Sequence, residues 1–292
     1  MTSVQATCIV DCKNVLGEGA VWCPREQQLW WIDISSPSLW RLESTSGHVE
    51  HWPLPKPPGC FALRKDDGFL FAFRSGFATL GKPGAELNWL DIAGLTLGDE
   101  RFNDGKADRA GRFWTGTMDR KLAGAIGRLY RLEPGFRATA MDRGFTISNG
   151  IGWSPDDRTM YFTDTPSRRI YRYDFDAADG EIANRRVFVE AQPGHGGPDG
   201  MTVDAQGYVW SAQFDRWCVN RYAPDGKLER SIRLPVQRPT SCMFGGADLS
   251  TLYVTSASMG LAAEALAAQP HAGGVFALEP GVRGLPEPRF AG

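Results

Sequence analysis

The sequence predicts an all-β protein, a six-bladed β-propeller whose four-stranded antiparallel blades surround a central channel. Three observations support this: an aromatic-rich strand pattern recurs along the chain, its copies are about 40 to 50 residues apart, and long helical patterns are nearly absent. Each copy follows a turn with Asp, Gly or Pro, as expected for the second strand of a blade. These strands are Leu29–Asp33, Phe69–Phe73, Arg112–Thr115, Met160–Asp164, Tyr208–Ser211 and Thr251–Thr255.

The remaining segments fit the same plan. Third strands follow at Leu129–Leu132, Ile170–Asp174, Val219–Tyr222 and Val275–Leu278. The N-terminal piece Val4–Val10 can pair into the last blade and close the ring. The stretch Leu261–Ala267 is a good helix former, inserted between strands of that blade. A β-sandwich is the alternative architecture, but it does not require a regular period. We therefore expect one propeller domain over residues 1–292.

Composition narrows the partners and the location. The chain has 292 residues, a formal net charge of −2 and no basic cluster, which argues against nucleic acid. No apolar run approaches the roughly 20 residues that span a membrane, and the first residues lack a signal-peptide pattern. The six cysteines are scattered, without a Cys-x-x-Cys pair, as is typical of reduced thiols. We predict a cytoplasmic protein, either a monomer or a weak homo-oligomer, with a small-molecule substrate.

Three oxygen-bearing side chains, Glu18, Asn149 and Asp199, each precede a glycine at the start of an inner strand. Inner strands of a propeller begin at the same face, so these side chains are expected to meet at one end of the channel. Two carboxylates and one amide suit Ca²⁺, Mg²⁺ or Mn²⁺, with Zn²⁺ and Fe²⁺ as further options. Three protein ligands would leave positions open for water and substrate. The alternative for each residue is an ordinary turn position before glycine.

Six different motifs follow one another along nearly the whole chain: LGEGAVW (16–22), RFNDGKAD (101–108), GTM (116–118), SNG (148–150), PDG (198–200) and AGGVF (272–276). This series resembles the gluconolactonase, senescence marker protein 30 and luciferin-regenerating-enzyme family. The resemblance implies a six-bladed propeller that hydrolyses sugar-acid lactones with one divalent metal. It implies Glu18, Asn149 and Asp199 as metal ligands, with Asp199 also the catalytic base. Arg101 and Asn103 would hold substrate oxygens near the metal.

Two stretches depart from the family pattern. Family members carry an acidic pair beyond the GTM motif that touches substrate, whereas Asp119, Arg120 and Lys121 follow it here, so Asp119 is the residue available for that role. Residues 214–218 (FDRWC) replace a small Gly-rich turn and predict a narrower, more polar mouth. His195 lies in a Gly-rich loop beside Asp199, and we interpret it as solvated or as a neighbour of the ligands.

Positive side chains at the mouth suggest a second hypothesis. The basic residues that map to this face are Arg74, Arg101, Arg120, Lys121, Arg168 and Arg216. Arginine is suited to forked recognition of carboxylate, phosphate or sulfonate groups. If two or more converge, the substrate carries an anionic group away from the lactone, and Arg74 and Arg216 join the substrate-binding set. The alternative is that most are ordinary solvated charges.

The sequence thus predicts hydrolysis of an aldonolactone to the open-chain aldonate. The cofactor is one divalent metal ion, foremost Ca²⁺ or Zn²⁺, with Mg²⁺, Mn²⁺ and Fe²⁺ as other options. An esterase or phosphotriesterase using the same metal is the nearest alternative, because the metal stabilises any developing oxyanion. A calcium-binding propeller without catalysis is the alternative from a different class.

Overall fold

The computed structural model describes residues 4–194 and 196–292, so the interpretation of His195 lies outside the described residues. Within them, the chain forms 24 strands and one short helix. The strands make six four-stranded sheets, antiparallel at each pairing, and the inner strands contact one another around a complete ring. This confirms the predicted six-bladed propeller.

The strands of each blade are given from the channel outward. Blade I consists of β2 (Gly17–Cys23), β3 (Gln28–Asp33), β4 (Ser38–Glu43) and β5 (Val49–Pro53). Blade II consists of β6 (Pro58–Leu63), β7 (Phe69–Phe73), β8 (Gly76–Leu80) and β9 (Asn88–Leu90). Blade III consists of β10 (Glu100–Ala107), β11 (Phe113–Asp119), β12 (Gly127–Leu132) and β13 (Ala138–Phe145). Blade IV consists of β14 (Ser148–Trp153), β15 (Thr159–Asp164), β16 (Arg169–Asp176) and β17 (Glu181–Glu190). Blade V consists of β18 (Gly197–Val203), β19 (Val209–Phe214), β20 (Cys218–Tyr222) and β21 (Leu228–Arg233). Blade VI consists of β22 (Pro239–Gly245), β23 (Thr251–Ser256), β24 (Val275–Leu278) and β1 (Thr7–Val10).

The ring closes as the sequence predicts. Strand β1 pairs antiparallel with β24 and becomes the outermost strand of blade VI. The predicted helix lies between β23 and β24, as α1 (Ala263–Ala268). No helix in the described residues is long and apolar enough to cross a membrane.

Aromatic side chains fill the spaces between neighbouring blades. The Trp30 ring of blade I meets Phe69 of blade II edge-on at 4.9 Å, and Trp22 stacks on Tyr253 of blade VI at 5.6 Å. Trp30 and Trp31 of β3 are both buried in the blade core. Burying aromatic rings is a large favourable term in folding, and here it also locks each blade to the next.

The C-terminal segment crosses the end of the channel opposite to the mouth, a feature that the repeat pattern does not predict. Gly284 pairs with Asp204 of blade V, and Phe290 exchanges backbone hydrogen bonds with the start of the turn after β6. Between these anchors, Glu287 enters the channel and lies 3.6 Å from the Lys106 ammonium. The segment therefore seals the rear of the channel, and access to its centre is from the mouth.

Candidate functional site

The predicted ligands Glu18, Asn149 and Asp199 lie on β2, β14 and β18, in each case near the first residue of the strand. Only 5 %, 5 % and 4 % of their respective surfaces is exposed. An inner strand faces the channel axis, so the three side chains share the mouth end of the channel. The three residues therefore lie at the strand starts that the sequence predicts, while their joint binding of a metal stays a prediction.

Near the mouth, the pairing between the inner strand and the second strand is irregular in four blades. The register with the second strand shifts within residues 18–21, 102–105, 149–151 and 198–201. A bulge of this kind bends a strand and redirects a side chain. The shifts therefore turn the residues at the mouth away from regular alternation and toward the channel.

Two glycines bring the backbones of neighbouring inner strands close together. A Cβ atom on Gly150 would lie 2.6 Å from the carbonyl oxygen of Asp199, and one on Gly200 would lie 2.6 Å from Ser241 Oγ. Any side chain here would push the strands apart. Gly150 therefore lets the strands that carry Asn149 and Asp199 approach closely, and Gly200 does the same for β18 and β22.

A chain of hydrogen bonds fixes the amide of Asn149. Its Nδ2 donates to Thr165 Oγ1 at 2.7 Å, and that hydroxyl donates to the Pro198 carbonyl at 2.7 Å. Its Oδ1 accepts from Asn103 Nδ2 at 2.6 Å. Arg101 Nη1 in turn donates to Asn103 Oδ1 at 3.1 Å. These bonds fix the orientation of the Asn149 amide, and Thr165 is a supporting residue that sequence reasoning missed.

A third carboxylate, Asp104, interacts electrostatically with Glu18 and Asp199, and these three residues form an acidic cluster. Burial raises the pKa of Asp104 to about 7. Burial and, next, the charges of Asp199 and Asp104 raise the pKa of Glu18, while burial and Asp104 raise that of Asp199. Asp104 stands before Gly105 in the bulge of β10, the same polar-residue-then-glycine signal that identified the other three.

The cluster has the features of a cation site. In the described residues, Asp199 Oδ1 is buried and has no hydrogen-bond partner, and Glu18 Oε2 accepts a hydrogen bond from the Gly19 N–H at 3.1 Å. Buried carboxylates that repel one another are stable as anions only with a compensating positive charge. A divalent ion held by oxygen donors would relieve the repulsion among these carboxylates.

We expect the metal-free protein to lose stability as pH rises. The raised pKa of Asp104 favours its neutral form in the folded chain, so its stabilising contribution is full below about pH 4 and is lost as pH rises through about 7. The melting temperature in chelator should fall between pH 5 and 8 more steeply than with excess Ca²⁺. Asp104→Asn should flatten the chelator curve and raise it at pH 8 by a few degrees, since 1 kcal/mol corresponds to roughly 2–4 °C. Equal slopes with and without metal would contradict the repulsion.

Arg101 and Arg74 form a positive corner at the mouth. Burial and then the charge of Arg74 lower the pKa of Arg101 to about 10, so it remains cationic at neutral pH. In the described part of the chain, neither guanidinium forms an ion pair with a carboxylate, in contrast to Arg238, which pairs with Asp215 at 2.5 Å. Two neighbouring cations without a counter-charge are an electrostatic cost that an anion would relieve.

The other predicted mouth residues differ in what they contact. Both oxygens of Asp119 are used by its own loop, accepting backbone N–H bonds from residues 121, 123 and 124, so the geometry gives no support to its predicted substrate role. Arg216 donates to the Gln192 carbonyl at 2.8 Å, on the loop that leads to Asp199. Asp215 anchors residues 214–218 through Arg238. Substrate contacts of Asp119 and Arg216 stay predictions.

Fold and site together define a six-bladed propeller with buried carboxylates at the mouth of its channel. Residues 16–258 match the SMP-30/Gluconolactonase/LRE-like region, and the chain belongs to that family. This confirms the resemblance drawn from the motifs.

The similar proteins span essentially the whole chain. A 6-deoxy-6-sulfogluconolactonase from Pseudomonas putida is 43% identical over 286 residues, covering 98% of both chains. An L-arabinolactonase from Azospirillum brasilense is 37% identical, covering 99% of this chain and 96% of the relative. The solved structure of a calcium-binding protein, regucalcin, from Agrobacterium tumefaciens superposes with a TM-score of 0.93 at 31% identity, covering 99% and 98% of the two chains.

Proposed function

We propose that this chain is a metal-dependent lactonase that opens a sugar-acid lactone to the aldonate. The observation that carries the proposal is the buried, unpartnered Asp199 oxygen, set among repelling carboxylates at the one end of the channel that the C-terminal segment leaves open. The lactonase names of two relatives support the reaction class.

Glu18, Asn149 and Asp199 would hold the metal, with Ca²⁺ or Zn²⁺ as the leading candidates. When bound, the ion would polarise the lactone carbonyl and stabilise the negative charge that develops on its oxygen. Asn149 is preset for this role because its hydrogen bonds to Thr165 and Asn103 orient its oxygen before any ion arrives. Asp104 adds negative charge to the same pocket.

Asp199 would act as the base. Its Oδ1 accepts a proton from a water molecule whose oxygen bonds to the lactone carbonyl carbon. The bond from that carbon to the ring oxygen then breaks, and the ring oxygen takes up a proton to give the hydroxy acid. A carboxylate bound to a cation is a weak base. Asp199 therefore needs one oxygen outside tight coordination, as the unpartnered Oδ1 would provide.

The positive corner of Arg74 and Arg101 favours a lactone that carries a second, anionic group. Arg101 is positioned by its bond to Asn103, beside the ligand Asn149, so it can reach the sugar while the lactone carbonyl lies at the metal. A sulfonate or carboxylate would supply the counter-charge that the corner lacks. The sulfonated substrate in the name of the Pseudomonas relative is consistent with this.

The lactonase proposal is tested by proton release. We expect glucono-1,5-lactone added to the purified chain to acidify a weakly buffered indicator solution faster than spontaneous hydrolysis, and a chelator to remove the excess rate. Returning Ca²⁺ or Zn²⁺ should restore it. A simple aryl ester and a phosphotriester serve as comparison substrates for the alternative hydrolases. Metal binding without turnover on any of them would favour a calcium-binding propeller instead.

A further inference from the structure

Away from the channel, Cys8, Asp11 and His271 bring a thiol, a carboxylate and an imidazole together where the ring closes. One ligand atom from each lies within 4.8 Å of the others, a proximity that no other trio of Cys, His, Asp or Glu reaches in residues 4–194 and 196–292. The Nδ1 atom of His271 is 3.4 Å from Asp11 Oδ1. We refer to these three residues as the clasp cluster.

A β-bulge puts two of these side chains on one face. In a regular strand, residues three positions apart point to opposite faces. The pairing of β1 with β24 shifts register between Cys8 and Val10, and one extra residue reverses the alternation. This reversal lets Cys8 and Asp11, which directly follows the strand, face the same side, and the closeness of their ligand atoms to that of His271 shows that they do.

The loop that carries His271 is held tightly against the N-terminal strand. Gly273 has φ +82°, and its carbonyl accepts a bond from the Asn14 N–H at 2.9 Å. A Cβ atom on Gly274 would lie 3.1 Å from Cys8 Sγ. The close approach fixes the distance between the two ends of the chain, so the clasp cluster is preformed by backbone contacts.

We propose that the clasp cluster is a metal site for Zn²⁺ or an ion of similar chemistry, with Cys8, Asp11 and His271 as ligands and water in the fourth position. A thiolate, an imidazole and a carboxylate match the preferences of zinc, whereas the channel offers oxygen donors. On binding, the Cys8 sulfur bonds to the ion and its proton passes to solvent. Because Cys8 and Asp11 come from the N-terminal strand and His271 from the loop before β24, the ion would cross-link the two segments that close the ring and stabilise the folded chain.

A lysine ammonium already pairs with Asp11, one of the three proposed ligands. Lys13 Nζ is 2.8 Å from Asp11 Oδ1 and also donates to the Pro270 carbonyl. The Asp11 and His271 side chains are 44% and 47% exposed, so an ion can enter from solvent and displace the ammonium. Lys13→Met removes the competitor and should tighten metal binding.

Titration with Co²⁺ tests the site in the full-length chain. A thiolate ligand gives cobalt a near-ultraviolet charge-transfer band that oxygen donors do not produce. In a Glu18→Gln background, where the channel site does not compete for cobalt, we expect this band to saturate at one equivalent, to vanish on adding Cys8→Ser and to persist on adding the matched control Cys218→Ser. His271→Ala removes one of three protein ligands and should weaken binding by more than about 10-fold, the loss that follows when a residue supporting a ligand is removed.

Thermal unfolding gives an independent readout. In a Glu18→Gln background, which disables the channel site, Zn²⁺ should raise the melting temperature, and adding His271→Ala should cancel the rise. His271 is exposed, so this variant carries the test even if Cys8→Ser does not fold. Absence of the band in large cobalt excess, or a band that survives Cys8→Ser, overturns the proposal. Lactone turnover does not depend on the clasp cluster, so the two proposals fail separately.

Discussion

The Asp199→Asn variant, loaded with metal, is expected to lose about 10²–10⁴ in kcat/KM for a sugar lactone, the range that general-base assistance contributes. The amide keeps one oxygen that can still face a cation but cannot accept the proton of the attacking water. Burial of Asp199 and the unpartnered state of its Oδ1 in the described residues are what make it available for that proton.

The measurement needs metal content and rate together. Kinetics are compared at saturating Ca²⁺ and at saturating Zn²⁺, with bound metal quantified in the same samples. Asp248→Asn is the matched control, because it makes the same change at an exposed turn far from the channel. Full turnover by a metal-loaded Asp199→Asn chain would remove Asp199 from the mechanism and leave water acidified by the ion as the remaining source of the nucleophile.

The fold could be predicted from the sequence because each blade repeats the same strand pattern. A strand rich in adjacent aromatics must bury both faces between its neighbours, and that need recurs at a regular interval, as Trp30, Phe71 and Trp114 illustrate. Strand polarity then assigns each turn to one face of the ring. The mouth and the positions of Glu18, Asn149 and Asp199 follow from that polarity alone.

What the sequence did not predict arises from irregular backbone and from distant contacts. Asp104 was not predicted as a site residue, because periodicity does not show the bulge in β10 at which it lies. The C-terminal segment carries no repeat signal, so its path across the channel and the Glu287–Lys106 pair depend on tertiary packing. Asp119 looked available for substrate, yet its loop uses both carboxylate oxygens, a local bonding pattern common to acidic turn residues.

The Arg101→Gln variant should separate anionic from neutral substrates. We expect its kcat/KM for 6-deoxy-6-sulfogluconolactone to fall about 10- to 100-fold more than its kcat/KM for glucono-1,5-lactone. A hydrogen bond to a charged group is worth about 1.5–3 kcal/mol, which corresponds to this range. Both substrates should share a smaller common loss, because Arg101 also orients Asn103 through a 3.1 Å bond.

The common loss and the charge-specific loss can be told apart within one set of variants. Arg101→Lys keeps the positive charge but loses the paired N–H donors of the guanidinium. It should therefore recover part of the preference for the sulfonated lactone. Arg74→Gln removes the neighbouring charge without touching Asn103 and should act mainly on the anionic substrate. Arg283→Gln, exposed and paired with Asp248, is the control for a lost surface charge. If Arg101→Gln reduced both rates equally, Arg101 would serve only to position Asn103, while the case for a metal-dependent lactonase would stand on Asp199 and the chelator experiment.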